Sequence, residues 1–303
     1  MRALFKLRWI FVLYAMAGCK GISPLDGSVI ACGSDKVILV DVKKRNTNSP
    51  NIIWAWQPSD ARSLPLTYKQ KYFNKIDECK PIAEGQKIMI TSSTGGVAII
   101  DKPSKDVTFF SYVANAHSIE ELPHARVAVA GSHHDHGNCI AIFNTNRSGM
   151  EPVYKIRLYA AHGLVWDSNR RLLYALGDDT LKAYKLMDWY TERPKLKLYK
   201  EWNLKDTGGH DLVRFSSREL LVTTRDNVWI FNKEMEEFNI FKPLGHKKNI
   251  KGLSISGPHN PRIAFVQAEE KWWSHHIHLT NPMDTLSIPF MNLYKVRWWN
   301  YKY

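Results

Sequence analysis

Short runs of β-favouring residues recur along the chain, each followed by a turn and a second run of the same kind. This hairpin pattern occurs six times, and each copy begins with a basic or polar residue. Successive copies start 59, 39, 45, 48 and 43 residues apart, which is close to the period of a four-stranded propeller blade. The six segments are residues 28–41, 87–101, 126–144, 171–186, 219–232 and 262–281.

The remaining strands of each predicted blade flank these hairpins. Four of the hairpins follow short runs suited to an innermost strand, namely HSIEEL, HGLVWD, HDLVRF and KGLSIS. The first hairpin lacks such a run, whereas residues 294–299 form a run with no hairpin after it. We therefore predict an all-β, six-bladed β-propeller that is closed by the C-terminal strand, with residues 19–303 as a single domain. A β-sandwich is the alternative, but it explains neither the long period nor the last strand.

The N-terminus has the pattern of an export signal. Arg2, Lys6 and Arg8 precede a short apolar run at positions 9–18, which is too short to span a bilayer. The run ends in Ala-Gly-Cys, similar to a bacterial lipobox, and predicts a signal peptide over residues 1–18 with Cys19 lipidated at the mature N-terminus. Ordinary cleavage nearby is the alternative. We expect an exported cell-envelope protein, periplasmic or at the cell surface, that meets the membrane only through a lipid anchor.

The charge of the chain points to an anionic partner. Lys and Arg number 42 against 29 Asp and Glu, a formal net charge of +13. For an exported protein we expect acidic glycan and no nucleic acid. Cys32, Cys79 and Cys139 show no metal-ligand spacing and are odd in number, so we expect no disulfide framework.

Three histidines carry the main chemical prediction. His117, His162 and His210 begin three consecutive predicted inner strands, and inner strands line the central channel of a propeller. Their imidazoles are therefore expected to converge at one channel mouth. Three neutral imidazoles suffice to hold one divalent metal with positions left open, or they supply a general base without a metal. The alternative is that each histidine only caps its strand.

Four cations are predicted at the same mouth as substrate-binding groups. Lys80 and Lys251 take the equivalent position in the flanking blades, and Lys295 and Arg297 lie on the closing strand. Such a set suits carboxylate or sulfate groups on a sugar chain. Solvated surface charge is the alternative for each of them.

Two predicted turns are also rich in residues that can bind metal or sugar. Residues 133–136 read His-His-Asp-His, a tract that can bind metal but that is also common on surfaces. Residues 271–276 read Lys-Trp-Trp-Ser-His-His and could stack sugars if this turn reaches the channel face. Packing between blades is the alternative for the tryptophans.

Several sequence segments resemble those of a family of exported bacterial β-propellers of unknown function. They are ANAHSIE at 114–120, AHGLVWD at 161–167, LYALGDD at 173–179, GGHDL at 208–212 and YKVRW at 294–298. The resemblance covers nearly the whole mature chain. It implies a propeller fold and a setting similar to bacterial glycan utilisation, and the histidine-lined channel is similar to that of propeller lyases acting on uronates. It implies no established reaction.

Together these patterns predict a propeller that acts on or binds acidic carbohydrate at a mouth lined by His and Lys. Whether it is an enzyme is left open. If it is one, β-elimination fits best, with a Lys or a metal neutralising the uronate carboxylate, a His removing the adjacent proton and a Tyr or water protonating the leaving oxygen. Metal-assisted hydrolysis is the nearest variant. The alternative is a non-catalytic glycan-binding or assembly lipoprotein.

Overall fold

The chain folds into 24 strands and three short helical segments in a computed structural model, which describes residues 27–43, 50–256 and 261–299. The predicted signal peptide and Cys19 lie outside the described residues. The helical segments are 3₁₀ turns at Pro58–Asp60 and Ala83–Gly85 and a π-helical turn at Tyr68–Tyr72. None of the helical segments described is long and apolar enough to cross a membrane.

The strands alternate with short turns along the whole described chain. They are β1 (Ser28–Gly33), β2 (Lys36–Asp41), β3 (Ile52–Trp56), β4 (Ile76–Ile82), β5 (Lys87–Ser92), β6 (Gly96–Asp101), β7 (Val107–Tyr112), β8 (Ala116–Leu122), β9 (Arg126–Gly131), β10 (Cys139–Asn144), β11 (Tyr154–Arg157), β12 (Gly163–Asp167), β13 (Leu172–Leu176), β14 (Thr180–Met187), β15 (Lys195–Asn203), β16 (Asp211–Arg214), β17 (Glu219–Thr223), β18 (Val228–Asn232), β19 (Glu237–Ile240), β20 (Ile250–Ile255), β21 (Ile263–Gln267), β22 (His276–Leu279), β23 (Asp284–Ser287) and β24 (Leu293–Trp298).

These strands form six antiparallel sheets of four strands each, which are the blades. Five blades take consecutive strands: β4 to β7, β8 to β11, β12 to β15, β16 to β19 and β20 to β23. The remaining blade has the order β24-β1-β2-β3, so its innermost strand comes from the far end of the chain. The six predicted hairpins are the two middle strands of the six blades. The predicted all-β, six-bladed propeller is confirmed.

Closure of the ring depends on the pairing of β24 with β1. The two strands are antiparallel, with Val29 opposite Trp298 and Cys32 opposite Lys295. This pairing covers two strand edges that would otherwise be open to other chains. The predicted closing role of the C-terminal strand is therefore correct.

The core lies between neighbouring blades rather than in one central mass. Between the first two blades, for example, Trp56 packs in one buried cluster with Phe73 and Ile88. All three cysteines of the described chain are buried free thiols. Cys32 and Cys79 lie in this cluster and Cys139 lies in another, so apolar side chains surround each of these thiols.

Candidate functional site

One residue from each blade occupies an equivalent position at the start of its inner strand. In β4, β8, β20 and β24 this residue is the extra one in a β-bulge, because the pairing register shifts there. In the other two blades this residue directly precedes the inner strand, and its N–H donates to a carbonyl of the neighbouring strand. The N–H of His162, for example, donates to the carbonyl oxygen of Leu176. We call this set the histidine mouth: Asp77, His117, His162, His210, Lys251 and Tyr294.

The three imidazoles lie side by side in this mouth. The ring centre of His162 is 4.4 Å from that of His117 and 5.3 Å from that of His210. His117 and His162 are only 8% and 7% exposed. The shared register recognised in the sequence therefore does bring the three rings together at one end of the channel.

Backbone carbonyls fix the orientation of two of these rings. The Nδ1 of His117 lies 3.0 Å from the carbonyl oxygen of Asn115, and the Nδ1 of His162 lies 2.8 Å from that of Ala160. Because a carbonyl can only accept, each Nδ1 carries the proton and each Nε2 keeps its lone pair. Nε2 of His117 is therefore available to accept a proton or to bind a cation, whereas Nε2 of His162 also lies 3.5 Å from the Ser132 hydroxyl.

His210 is oriented by a side chain instead. Its Nε2 lies 2.7 Å from Nζ of Lys251, so the ammonium donates and the imidazole accepts. Its Nδ1 is buried and has no hydrogen-bond partner. A buried donor without a partner costs free energy, so this atom lowers the stability of the mouth.

The mouth holds its histidines neutral. Burial lowers the pKa of His117 to about 4 and that of His210 to about 3, with neighbouring lysines adding to the effect. The pKa of His162 is also well below its usual value because of burial and the two flanking imidazoles. Burial and nearby Arg225 lower the pKa of Lys251 to about 8, so Lys251 is still mostly charged at neutral pH.

Asp77 and Tyr294 complete the mouth and were not recognised in the sequence. Burial raises the pKa of Asp77 to about 7, although its carboxylate accepts a hydrogen bond from the Ser93 amide. Burial also raises the pKa of Tyr294, whose ring centre is 5.7 Å from that of His117. A carboxyl group that titrates near neutrality beside a protonated phenol and neutral imidazoles is typical of acid–base sites.

Lys80 does not lie in the histidine mouth, contrary to the sequence expectation. The inner strand β4 begins at Ile76, so Asp77 takes the position that had been assigned to Lys80. Nζ of Lys80 lies instead 2.8 Å from Oε2 of Glu120 and 2.8 Å from the carbonyl oxygen of Leu164. Its side chain lines a cavity farther along the channel.

Lys295 and Arg297 do not extend the mouth as free cations either. Nζ of Lys295 lies 3.2 Å from Oε2 of Glu78 and 3.2 Å from Oδ1 of Asp211. Arg297 lies 2.7 Å from Oδ2 of Asp211 and 2.9 Å from Oε1 of Glu78. We call these four residues the buried charge cluster. Because protein carboxylates already neutralise both cations, Lys251 is the one predicted cation that remains in the mouth.

The buried charge cluster is strongly stabilised in its charged form. Burial alone would raise the pKa values of its two carboxyl groups, but Arg297 and Lys295 hold that of Glu78 below normal and that of Asp211 at about 2. Lys295 also donates to the carbonyl oxygen of His117 at 3.1 Å. The cluster thus forms a floor directly under the histidine mouth.

The turn at residues 271–276 reaches the channel face. A cleft of about 180 Å³ is lined by Asp77 and Tyr294 of the mouth together with Trp272 and Trp273. Trp272 is 50% exposed, so part of its indole is open to solvent beside the mouth. The condition under which these tryptophans could stack sugars is met, while sugar binding itself stays a prediction.

The second histidine tract lies beside the mouth, and His133 is close enough to help lower the pKa of His117. Residues 133–136 are exposed in the turn between β9 and β10, where His133 packs edge-on against Tyr159 with ring centres 4.9 Å apart. Within residues 27–43, 50–256 and 261–299, no group of three or more His, Cys, Asp or Glu side chains has the arrangement of a metal site. The metal suggested for His117, His162 and His210 stays a prediction.

Six four-stranded blades in a closed ring define the protein as a six-bladed β-propeller. It belongs to a family of unknown function (DUF6528), whose profile matches residues 22–301. A chain from the crystal structure of a nidogen/laminin complex is similar in fold, with a TM-score of 0.60 and 11% identity over 89% of this chain and 97% of that one. At this identity the likeness shows the fold alone. A comparison with curated proteins finds no match.

Proposed function

We propose that the histidine mouth binds acidic carbohydrate and that the protein works outside the cytoplasm. The observation that carries this proposal is the contact between Lys251 and a row of neutral imidazoles at the channel end. Neutral imidazoles do not compete with the ammonium for an anion, and the Nε2 atoms of His117 and His162 can accept hydrogen bonds from hydroxyls. A uronate offers both groups, a carboxylate and ring hydroxyls.

The adjoining cleft supplies a surface for the rest of a sugar chain. The exposed part of Trp272 lies beside Asp77 and Tyr294, and an indole can pack against the apolar face of a sugar ring. One sugar at the mouth and a second over Trp272 is the arrangement that we propose. The basic net charge of the chain, +13, favours approach of a polyanion.

β-Elimination is the reaction that these groups suit. Lys251 would neutralise the uronate carboxylate, and Nε2 of His117 or His162 would remove the proton on the adjacent ring carbon. The electron pair of that C–H bond forms a carbon–carbon double bond as the bond to the leaving glycosidic oxygen breaks. The Tyr294 hydroxyl or a water protonates that oxygen. The products are an unsaturated uronate and a new sugar end, and no oxidant or water is consumed.

A divalent metal is the variant of this proposal that replaces Lys251 in neutralising the carboxylate. The Nε2 atom of His117 fits imidazole ligation, and that of His162 fits it once the Ser132 hydroxyl, 3.5 Å away, turns elsewhere. The Nε2 of His210 is occupied by Lys251, so three-histidine ligation requires Lys251 to move away or lose its proton. Metal content of the purified protein and of a Lys251→Met variant tests this point.

Glycan binding without catalysis is the second candidate, and one observation favours it. The imidazoles of His117 and His162 are nearly covered, whereas Trp272 is half exposed. A long polysaccharide therefore reaches the cleft more easily than the basic nitrogens. In this case the protein would hold acidic glycan, or serve in assembly, as a lipoprotein of the cell envelope.

Ultraviolet absorbance of unsaturated uronates on a panel of acidic glycans separates these functions. The panel contains alginate, polygalacturonate, hyaluronan, chondroitin sulfate and heparin, and direct binding is measured on the same samples. Product formation that is lost in His117→Gln and His162→Gln supports the lyase, and binding without product supports the glycan-binding protein. Lys251→Met should abolish binding in either case. Lys248→Met, which removes an exposed lysine, is the matched control. Absence of binding across the panel would refute both functions.

A further inference from the structure

The channel opens at its other end into a second and larger cavity. This cavity has a volume of about 520 Å³ and takes residues from the inner strand of every blade. Small-molecule sites commonly have about 300 to 1,000 Å³. The buried charge cluster separates the cavity from the histidine mouth, because Lys295 contacts the His117 carbonyl whereas Arg297 lines the cavity.

Aromatic and aliphatic side chains make up much of the cavity wall. Trp166, Trp298 and Trp299 line it together with Val165 and Val213. Trp166 is half-buried, so its indole keeps surface that a ligand can cover. Arg214 donates to the carbonyl oxygen of Trp166, which holds this strand end in place.

Two cations on the polar floor of the cavity are already paired with carboxylates. Lys80 and Glu120 are paired at 2.8 Å, and the cluster carboxylates neutralise Arg297. The other oxygen of Glu120, Oε1, accepts a hydrogen bond from the Trp166 amide at 3.1 Å. Each carboxylate oxygen can accept a second hydrogen bond, so Glu120 presents acceptors to a ligand but no net charge.

One segment of the rim has a strained backbone. Ala83, Glu84 and Gly85 are consecutive residues with φ values of 49°, 55° and 79°, and all three line the cavity. Side chains other than glycine adopt this left-handed region at a cost, and such residues concentrate at ligand clamps and active sites. A Cβ on Gly85 would lie 2.8 Å from the Trp299 ring, so this rim packs directly on the aromatic wall.

These features together select the chemistry of the ligand. Three carboxylate side chains, Glu84, Glu120 and Glu121, line the cavity and disfavour an anion. Of the lining cations, Lys80 and Arg297 already contact protein carboxylates, and Arg214 donates to a backbone carbonyl. A wholly apolar ligand would remove water from the Lys80–Glu120 pair without replacing its hydrogen bonds. A neutral sugar instead offers an apolar face to the indole of Trp166 and hydroxyls that donate to Glu120. We propose that the cavity is a binding site for a neutral saccharide, distinct from the histidine mouth.

Calorimetric titration with four neutral disaccharides tests this proposal: cellobiose, maltose, lactose and N,N′-diacetylchitobiose. At least one should bind with a Kd below about 1 mM. Ser168 lies on the cavity lining and is exposed, so Ser168→Trp should obstruct the cavity and weaken that binding at least about tenfold without burying a new group in the core. Asn169→Trp is the matched control, because Asn169 is exposed and lies outside the lining.

The outcomes separate this site from the acidic-glycan site. Lys251→Met should leave disaccharide binding unchanged, and Ser168→Trp should leave binding of acidic glycan unchanged. The proposal is overturned if none of the four disaccharides binds, if Ser168→Trp binds as tightly as the wild type, or if Lys251→Met weakens disaccharide binding. Failure of acidic-glycan binding alone does not bear on it.

Discussion

The ammonium of Lys251 donates a hydrogen bond to Nε2 of His210 over 2.7 Å, so a cation and a neutral base are in direct contact at the channel mouth. The pKa of about 8 for Lys251 lies far above the pKa of about 3 for His210. The proton therefore stays on Lys251 at neutral pH. The positive charge of the mouth depends on this one lysine, and it disappears on the alkaline side of neutrality.

Binding of acidic glycan should accordingly weaken as pH rises through about 8. The anion binds the protonated lysine, so affinity falls above the pKa of Lys251, and ionisation of Asp77 from about pH 7 adds to this loss. Calorimetric titration with an oligouronate between about pH 6.5 and about pH 9.5 measures this loss. Lys251→Arg should retain binding at the alkaline end because guanidinium stays charged. A profile that is flat in the wild type would contradict the assignment of Lys251 as the anion-binding group.

The buried charge cluster should be essential for stability. Arg297→Met removes one cation and leaves Glu78 and Asp211 buried with Lys295 alone, at a cost of about 3 to 5 kcal/mol in the free energy of unfolding. Chemical denaturation of the two proteins measures the difference. Lys248→Met breaks an exposed pair with Asp226 and should change stability by less than about 1 kcal/mol. Equal effects of the two substitutions would show that the cluster is not a stabilising unit.

Two tryptophans should have different roles, Trp298 in closing the ring and Trp272 in stacking on sugar. Trp298 on β24 is buried and its Nε1 donates to the carbonyl oxygen of Arg262 at 2.9 Å, so Trp298→Ala should cost about 3 to 5 kcal/mol. Trp272 is half exposed, so Trp272→Ala should cost less than about 0.5 kcal/mol while it weakens glycan binding. Thermal unfolding and glycan titration on both variants give the comparison. Unchanged stability of Trp298→Ala would contradict the role of Trp298 in ring closure. Unchanged glycan binding by Trp272→Ala would contradict the role of Trp272 in sugar stacking.

The blades and the histidine register could be predicted because they repeat in the sequence. Each histidine stands nine residues before its hairpin, at 126, 171 and 219, so a fixed distance locates all three. Asp77 escaped this count because the 3₁₀ turn Ala83–Gly85 lengthens the connection between β4 and β5. Tyr294 escaped it because no hairpin follows β24, whose partner strand lies at the other end of the chain.

The partners of Lys295 and Arg297 could not be predicted from local sequence. Glu78 and Asp211 reach them from two other blades, more than 80 residues away along the chain. Only the closed ring brings these carboxylates to the channel axis. The sequence therefore predicts that a basic residue on an inner strand lies at the channel. Whether that residue can bind a ligand depends on carboxylates from other blades, which the local sequence does not show.

The neutral histidines of the mouth should lower the stability of the protein in mild acid, while Asp77, whose pKa is raised to about 7, acts in the opposite direction and offsets part of the loss. The pKa of His117 is about 4 in the folded protein against about 6.5 in the unfolded chain, so the unfolded state takes up a proton first as pH falls. The contribution of neutral His117 to the free energy of unfolding is fully present above about pH 6.5. It is lost progressively down to about pH 4, by at most about 3 kcal/mol.

His117→Gln should flatten this part of the pH dependence, because glutamine does not titrate and still offers polar atoms near the Asn115 carbonyl. Denaturant unfolding of the wild type and the variant at a series of pH values between about 4 and 7 measures the slopes. The exposed His124 is the control, since it is not among the groups that act on His117 and His124→Gln should leave the slope as it is. If the wild type and His117→Gln lose stability equally over this range, His117 is not held neutral by burial. The Nε2 lone pair that the proposed reaction requires would then be protonated below about pH 6.5, as in a free imidazole.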